Sequence, residues 1–155
     1  MLLKKNFEIL NQKINLDLSD CNLKEGSIGL EREALRVSNN YLSKSSHQRV
    51  LGDKLNNKYI TTDFAETQLE LITPPLRRNE DAHIFLEEIH RFVASGISDN
   101  LWPFSMPPLI HSESDIEISD YGETNQGVFK TLYRKGLSHR YGKYMQAISG
   151  IHFNY

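Results

Sequence analysis

Gly29-Leu30-Glu31-Arg32-Glu33-Ala34-Leu35-Arg36-Val37 decides the fold, because it admits two readings with different consequences. In a strand, residues two apart lie on one face about 6.6 Å from each other. In a helix they diverge by about 200°. A strand therefore sets Glu31 and Glu33 side by side, and adjacent carboxylates repel each other unless a cation lies between or beside them. LEREALR is also a good amphipathic helix, in which the same pair is only a solvated charge. Propensity leaves the two open.

Two further segments bear on the choice. Tyr59 to Ile72 begins with β-branched residues and predicts a loop entering a strand, closed by Pro74-Pro75, which deny further ladder hydrogen bonds. That strand aligns Glu66, Gln68 and Glu70 opposite Leu69 and Leu71. Tyr144 to Tyr155 predicts a third strand, aligning Gln146, Ile148, Gly150, His152 and Asn154 opposite Ala147, Ile151 and Phe153. Each strand has one face more polar than a core tolerates. If the three share a sheet, Glu31, Glu33, Glu70 and His152 converge, and carboxylates joined by one imidazole are hard-cation ligands suited to Mg²⁺ or Mn²⁺. Taken singly, Glu70 equally suits the wet side of a one-sided sheet, and His152 a satisfied core position.

Around these segments the chain reads as ordinary scaffold. Leu3, Phe7, Leu10 and Ile14 form one apolar stripe on a first helix, and a turn through Ser19, Asp20 and Asn22 follows. Asn39 to Lys58 is polar and predicts an exposed excursion. From Asn79, the residues Ala82, Phe85, Leu86, Ile89, Phe92 and Val93 share a helical face, with Asn79 as cap and Glu80 and Asp81 in the first turn. Leu101 to Ile110, with three prolines, predicts an extended connection. His111 to Asn125 carries five acids and no Lys or Arg, and Gln126 to Gly150 five Lys or Arg and no acid. The latter predicts a helix through Phe129, Leu132, Tyr133 and Leu137, ending near Gly142. Its Lys130, Arg134, Lys135, Arg140 and Lys143, interleaved with tyrosines, suit a phosphate, a carboxylate or a nucleic acid, or simply balance the acidic neighbour.

Composition narrows the classes. The 155 residues, 39% hydrophobic and 25% charged, are enough for one domain with a core, and a net charge of −2 gives no global pull toward nucleic acid or anionic lipid. The single cysteine, Cys21, has no internal partner, which favours a reducing compartment and a cytoplasmic location. No apolar run approaches the ~18 residues of a membrane span. The aromatic end Ile151 to Tyr155 reads as a buried terminus or the mark of a chain cut short.

The motifs resemble the bacterial type 1 glutamate–cysteine ligases. The resemblance is carried by Gly29 to Val37, Ile60-Thr61-Thr62-Asp63-Phe64-Ala65-Glu66, Leu69-Glu70-Leu71-Ile72-Thr73-Pro74, Trp102-Pro103 and Ser105-Met106-Pro107. It continues through Tyr121-Gly122, Thr124-Asn125, Lys130 to Arg134, Gly136-Leu137, Arg140-Tyr141-Gly142 and Gly150 to Tyr155. Pro108 departs from the pattern, standing where many relatives have cysteine.

The resemblance implies an α+β fold with a glutamine-synthetase-like antiparallel catalytic sheet and flanking helices, incomplete here, so that residues 1–155 would be the N-terminal part of one catalytic domain in a longer enzyme. It implies ligation of L-glutamate to L-cysteine through an acyl phosphate, the first step of glutathione biosynthesis, with ATP as co-substrate. This portion alone would be inactive. Metal binding falls on Glu31, Glu33 and Glu70, with His152 completing the metal and phosphate neighbourhood. Asp63 would lie near the substrates, Asn154, Gln146 and Leu137 in the glutamate pocket, and Phe64, Tyr133 and Arg134 near cysteine. ATP contacts would lie mostly beyond Tyr155. The resemblance implies no nucleic-acid, membrane or obligate protein partner. The rivals are a ligase of the same sheet with another amine acceptor, and a non-catalytic module whose basic helix meets a polyanion.

Overall fold

The computed structural model describes residues 25–155, together with Glu8 and Gln12. The first helix, the turn at Ser19 to Asn22 and Cys21 lie outside the described residues. Gly29 to Val37 is a strand. β1 (Gly29–Ser38) is the spine of a six-stranded sheet whose pairings are all antiparallel. Helical propensity loses because β1 has ladder partners on both edges: Glu31 pairs with Ile72 on one side and His152 on the other. Backbone groups buried within a sheet need such partners.

A two-residue turn joins β1 to β2 (Tyr41–Leu42), with Asn39 and Asn40 at φ 51° and 66°. Asparagine tolerates this left-handed region, and two such residues match the twist of a hairpin. The excursion that follows holds one short helix, α1 (Gln48–Leu51). β3 (Ile60–Thr62) and β4 (Gln68–Ile72) form a second hairpin, giving the order β2-β1-β4-β3.

α2 (Asn79–Gly96) lies behind the sheet. Its Ile89 and Val93 join Leu51, Ile60, Leu69 and Leu71 in one core cluster, and burying each such aliphatic side chain is worth about 1.5–3 kcal/mol. Two expectations need correction. Arg78, not Asn79, occupies the cap position and no side chain caps the helix, so the first-turn dipole falls to Glu80 and Asp81. Phe92 is 56% exposed, because it sits beyond the width of the sheet-facing stripe.

β5 (Asn100–Leu101) pairs with Arg36 and Val37 and leads into the extended proline-rich connection. α3 (Asn125–Tyr141) starts at Thr124, whose Oγ1 accepts from the Gly127 N–H at 3.1 Å, and ends at Gly142, φ 75°. Its Leu137 packs against the second cluster, Leu35, Leu42, Phe64, Ala65, Ile116 and Ala147, beneath the front of the sheet. Phe129, Leu132 and Tyr133 on the same helix are exposed. The predicted strand Tyr144 to Tyr155 is shorter than expected. Met145–Ala147 is a 3-10 turn that drops Ala147 into the core, and only β6 (Ile151–Asn154) is strand.

Candidate functional site

Strand parity now becomes geometry. Directly opposed residues in antiparallel strands project to the same face. Glu33 opposes Glu70, Glu31 opposes His152, Leu35 opposes Gln68, and Thr61 opposes Glu70. The four residues expected to hold a metal thus share the front of the sheet, and Leu69, Leu71 and Ile60 face α2 behind. The Glu66-Gln68-Glu70 alignment does not hold, because Glu66 lies in the β3–β4 turn before the strand begins. Gln146 likewise loses its parity with His152, since the 3-10 turn breaks the register.

The His152 ring sits between two carboxylates, Nδ1 3.4 Å from Glu31 and Nε2 3.5 Å from Glu33. Gly150 makes this possible: a Cβ there would stand 2.9 Å from His152 Nε2. The Gly150 N–H donates to Glu33 Oε2 at 2.8 Å, and Gln68 Nε2 donates to the same oxygen at 3.3 Å. Asn154 Nδ2 donates to Glu31 Oε1 at 3.0 Å. Gln68 and the Gly150 amide were missed as site groups. Parity with Glu70 was the available signal for Gln68; the amide had none.

Negative charge exceeds positive charge on this face. Burial raises Glu70 to about 7, helped by Asp63, Glu31 and Glu33 and opposed by Arg134. Burial also raises Glu33, with Asp63 and Glu31 adding to it while the Gly150 N–H and His152 pull it down. Asp63 is raised by burial against the pull of Arg134, the Phe64 N–H and His152. Carboxylates that resist ionisation together are a donor set in search of a hard cation. Chemically the set fits Mg²⁺ or Mn²⁺. As the side chains stand, no group of three or more His, Cys, Asp or Glu among the described residues is gathered as a metal cage.

The expected substrate residues divide by position. Arg134 Nε donates to the Asp63 carbonyl, bringing α3 to the edge of the acidic face. Tyr133 is exposed beside it and Asn154 touches Glu31. Leu137 is half-buried against the core and Gln146 is half-buried in its turn. Phe64 is only 1% exposed, a core residue beneath the face rather than on it.

A second charged cluster had no sequence signal. Lys54, buried, pairs with Glu66 and donates to Ser119 Oγ at 3.0 Å, while His47 Nδ1 approaches Glu66 to 3.5 Å. Arg36, 1% exposed, donates to Asp99 Oδ2 at 2.8 Å and to the Glu66 carbonyl at 3.1 Å. These charges pair with one another within the fold.

The sequence profile described as Glutamate-cysteine ligase matches residues 12–155. The chain belongs to the glutamate–cysteine ligase family. A glutamate–cysteine ligase of Edwardsiella ictaluri is 50% identical over 129 residues, covering 82% of this chain and 25% of that protein. One of Clostridium acetobutylicum is 47% identical over 137 residues, covering 86% and 28%. The chain therefore spans about a quarter of the length of the curated relatives it matches. A crystal structure of the Francisella tularensis glutamate–cysteine ligase in complex with AMP superposes with a TM-score of 0.79 at 43% identity, covering 83% of this chain and 26% of that one. A bifunctional glutathione synthetase from Pasteurella multocida gives 0.74 at 35% identity, covering 90% and 18%. Family membership thus agrees with the antiparallel sheet and flanking helices. No helix among the described residues is long and apolar enough to cross a membrane.

Proposed function

We propose that this chain forms part of the catalytic face of a cytoplasmic glutamate–cysteine ligase, the first enzyme of glutathione biosynthesis, which joins L-glutamate to L-cysteine while ATP is converted to ADP and phosphate. The observation that carries this reading is the register placing Glu33 opposite Glu70 and Glu31 opposite His152 on one half-buried, charge-rich face. Family membership supports the reaction class.

A carboxylate is a poor electrophile and must be activated before an amine can attack it. An oxygen of the glutamate γ-carboxylate takes the γ-phosphoryl group of ATP, breaking the bond to ADP, and the cysteine amine then attacks the acyl carbon, loses a proton and expels phosphate. Glu31, Glu33, Glu70 and His152 would hold Mg²⁺ or Mn²⁺, which when bound offsets the charge of the phosphate oxygens. Glu33 is pre-set for this by the Gly150 N–H and Gln68, which fix one of its oxygens. Arg134, anchored through Nε, would orient a substrate carboxylate, and Asp63 beside it would line the substrate pocket. Tyr133, Asn154, Leu137 and Gln146 would complete the near wall, with Phe64 supporting it from beneath.

The test is ADP release by the complete protein. Turnover should require ATP, Mg²⁺, glutamate and cysteine together. Equal turnover with an unrelated amine would overturn the cysteine assignment, and release without glutamate would overturn ligation. The 155-residue chain alone should show none, since it spans about a quarter of its relatives.

A further inference from the structure

Tyr121 joins the acidic segment to α3. Its ring is 5% exposed and gathers three cations: Arg134 Cζ lies 4.6 Å from the ring centroid, Lys130 Nζ 5.0 Å and Lys54 Nζ 5.1 Å. A cation within about 6 Å of an aromatic face is attracted by the ring quadrupole, most strongly where water is excluded. A guanidinium can also stack flat on the ring, which an ammonium cannot.

The ring is itself held rigidly. Its hydroxyl donates to the Thr62 carbonyl, one residue before Asp63. Its backbone N–H donates to Thr131 Oγ1 at 3.1 Å, in the second turn of α3. Gly127 allows the first turn to close on it, since a Cβ there would stand 2.3 Å from the Tyr121 carbonyl oxygen. Tyr121 therefore fastens α3 to the end of β3 and presents its ring to the Arg134 side chain.

Arg134 is fixed at three points. Nε donates to the Asp63 carbonyl, Nη1 donates to the Lys130 carbonyl at 3.1 Å, and the ring lies against the guanidinium. A flexible arginine loses much rotamer freedom when it clamps a ligand; one already fixed loses less. We infer that Tyr121 is a positioning residue, whose ring fixes the guanidinium of Arg134 in the orientation that receives the carboxylate of an amino-acid substrate. This rests on the ligase reading for the identity of the substrate, but the ring–guanidinium contact can be tested without it.

Two readouts on the complete protein separate the ideas. With ¹⁵N-labelled arginine, the Arg134 Nε–H signal, assigned by its loss in Arg134→Lys, should lie upfield of its position in Tyr121→Leu, which keeps the hydrogen bond to the Asp63 carbonyl and lacks the ring current. The shift should persist in Tyr121→Phe, which keeps the ring. The absence of a nuclear Overhauser contact between the Arg134 guanidinium protons and the Tyr121 ring protons in the unaltered protein would overturn the inference whether or not the leucine variant folds. In the ligation assay, Tyr121→Leu should raise KM for one amino-acid substrate about tenfold with kcat changed less than threefold, and Tyr121→Phe should stay within threefold of the parent. Equal damage from both substitutions would assign the effect to the hydroxyl and overturn the ring's role. A shifted signal in a protein that never consumes ATP with glutamate and cysteine would sink the ligase reading and leave the ring–guanidinium contact standing.

Discussion

Glu66 and Glu70 are four residues apart and both half-buried, yet their surroundings push them in opposite directions. Burial would raise Glu66, but His47 and Lys54 outweigh it and hold its carboxyl at about 2. Burial raises Glu70 to about 7, and its neighbours Asp63, Glu31 and Glu33 push the same way. Among the described residues, the charges acting on one carboxylate are positive and those on the other mainly negative, with Arg134 opposing them. A glutamate paired with a buried lysine is part of the scaffold; glutamates opposed across a ladder at the front of the sheet face each other's charge. The same residue type is thus paired internally within the β3–β4 turn and, on the proposed reading, serves chemistry in β4.

The sharpest way to break this contrast is by turnover. Glu70→Gln and Glu33→Gln should each lower Mg²⁺-dependent ADP release by more than about 100-fold in the complete protein, with the circular dichroism spectrum unchanged. Unchanged activity would return both residues to the solvated surface. Glu66→Gln should instead act on stability. It leaves the buried Lys54 without its carboxylate, at a cost of about 3 kcal/mol read by urea denaturation. A loss under about 0.5 kcal/mol would place Glu66 with ordinary surface residues.

A smaller effect of opposite sign should follow at Glu70. In metal-free protein at pH 8, Glu70→Gln removes a carboxylate that its neighbours repel, and should stabilise the fold by on the order of 1 kcal/mol after solvent screening. Any destabilisation would contradict the charge excess. The acid limb gives a further check. Glu66 has a folded pKa below its ordinary value of 4.5, so its stabilising contribution is complete above that value and fades as pH falls toward about 2. Wild-type stability should therefore drop more steeply below pH 4.5 than that of Glu66→Gln. Parallel curves would remove the linkage.

How much of this was legible depended on the range of each interaction. Parity is local, so Glu31, Glu33, Glu70 and His152 could be placed on one face once β1 was granted as a strand. Whether β1 was a strand was not local: it rests on pairing with residues 41 and 121 positions away, as at Glu31 with Ile72 and His152. Gln146 was misplaced because the pull of the core on Ala147 bends the chain before β6, and alternation in sequence cannot register that pull. Arg36 with Asp99 and Lys54 with Glu66 were invisible because nothing in a sequence pairs charges 63 or 12 residues apart. The substrates came from family resemblance, not from periodicity.

Cation binding by the front of the sheet is the claim on which the rest depends, and Mn²⁺ titration followed by water-proton relaxation measures it directly on the complete protein. Saturable Mn²⁺ binding displaced by Mg²⁺, weakened at least tenfold in Glu33→Gln and retained in Glu66→Gln, is the predicted result. Equal Mn²⁺ affinity in the parent and Glu33→Gln proteins would contradict it.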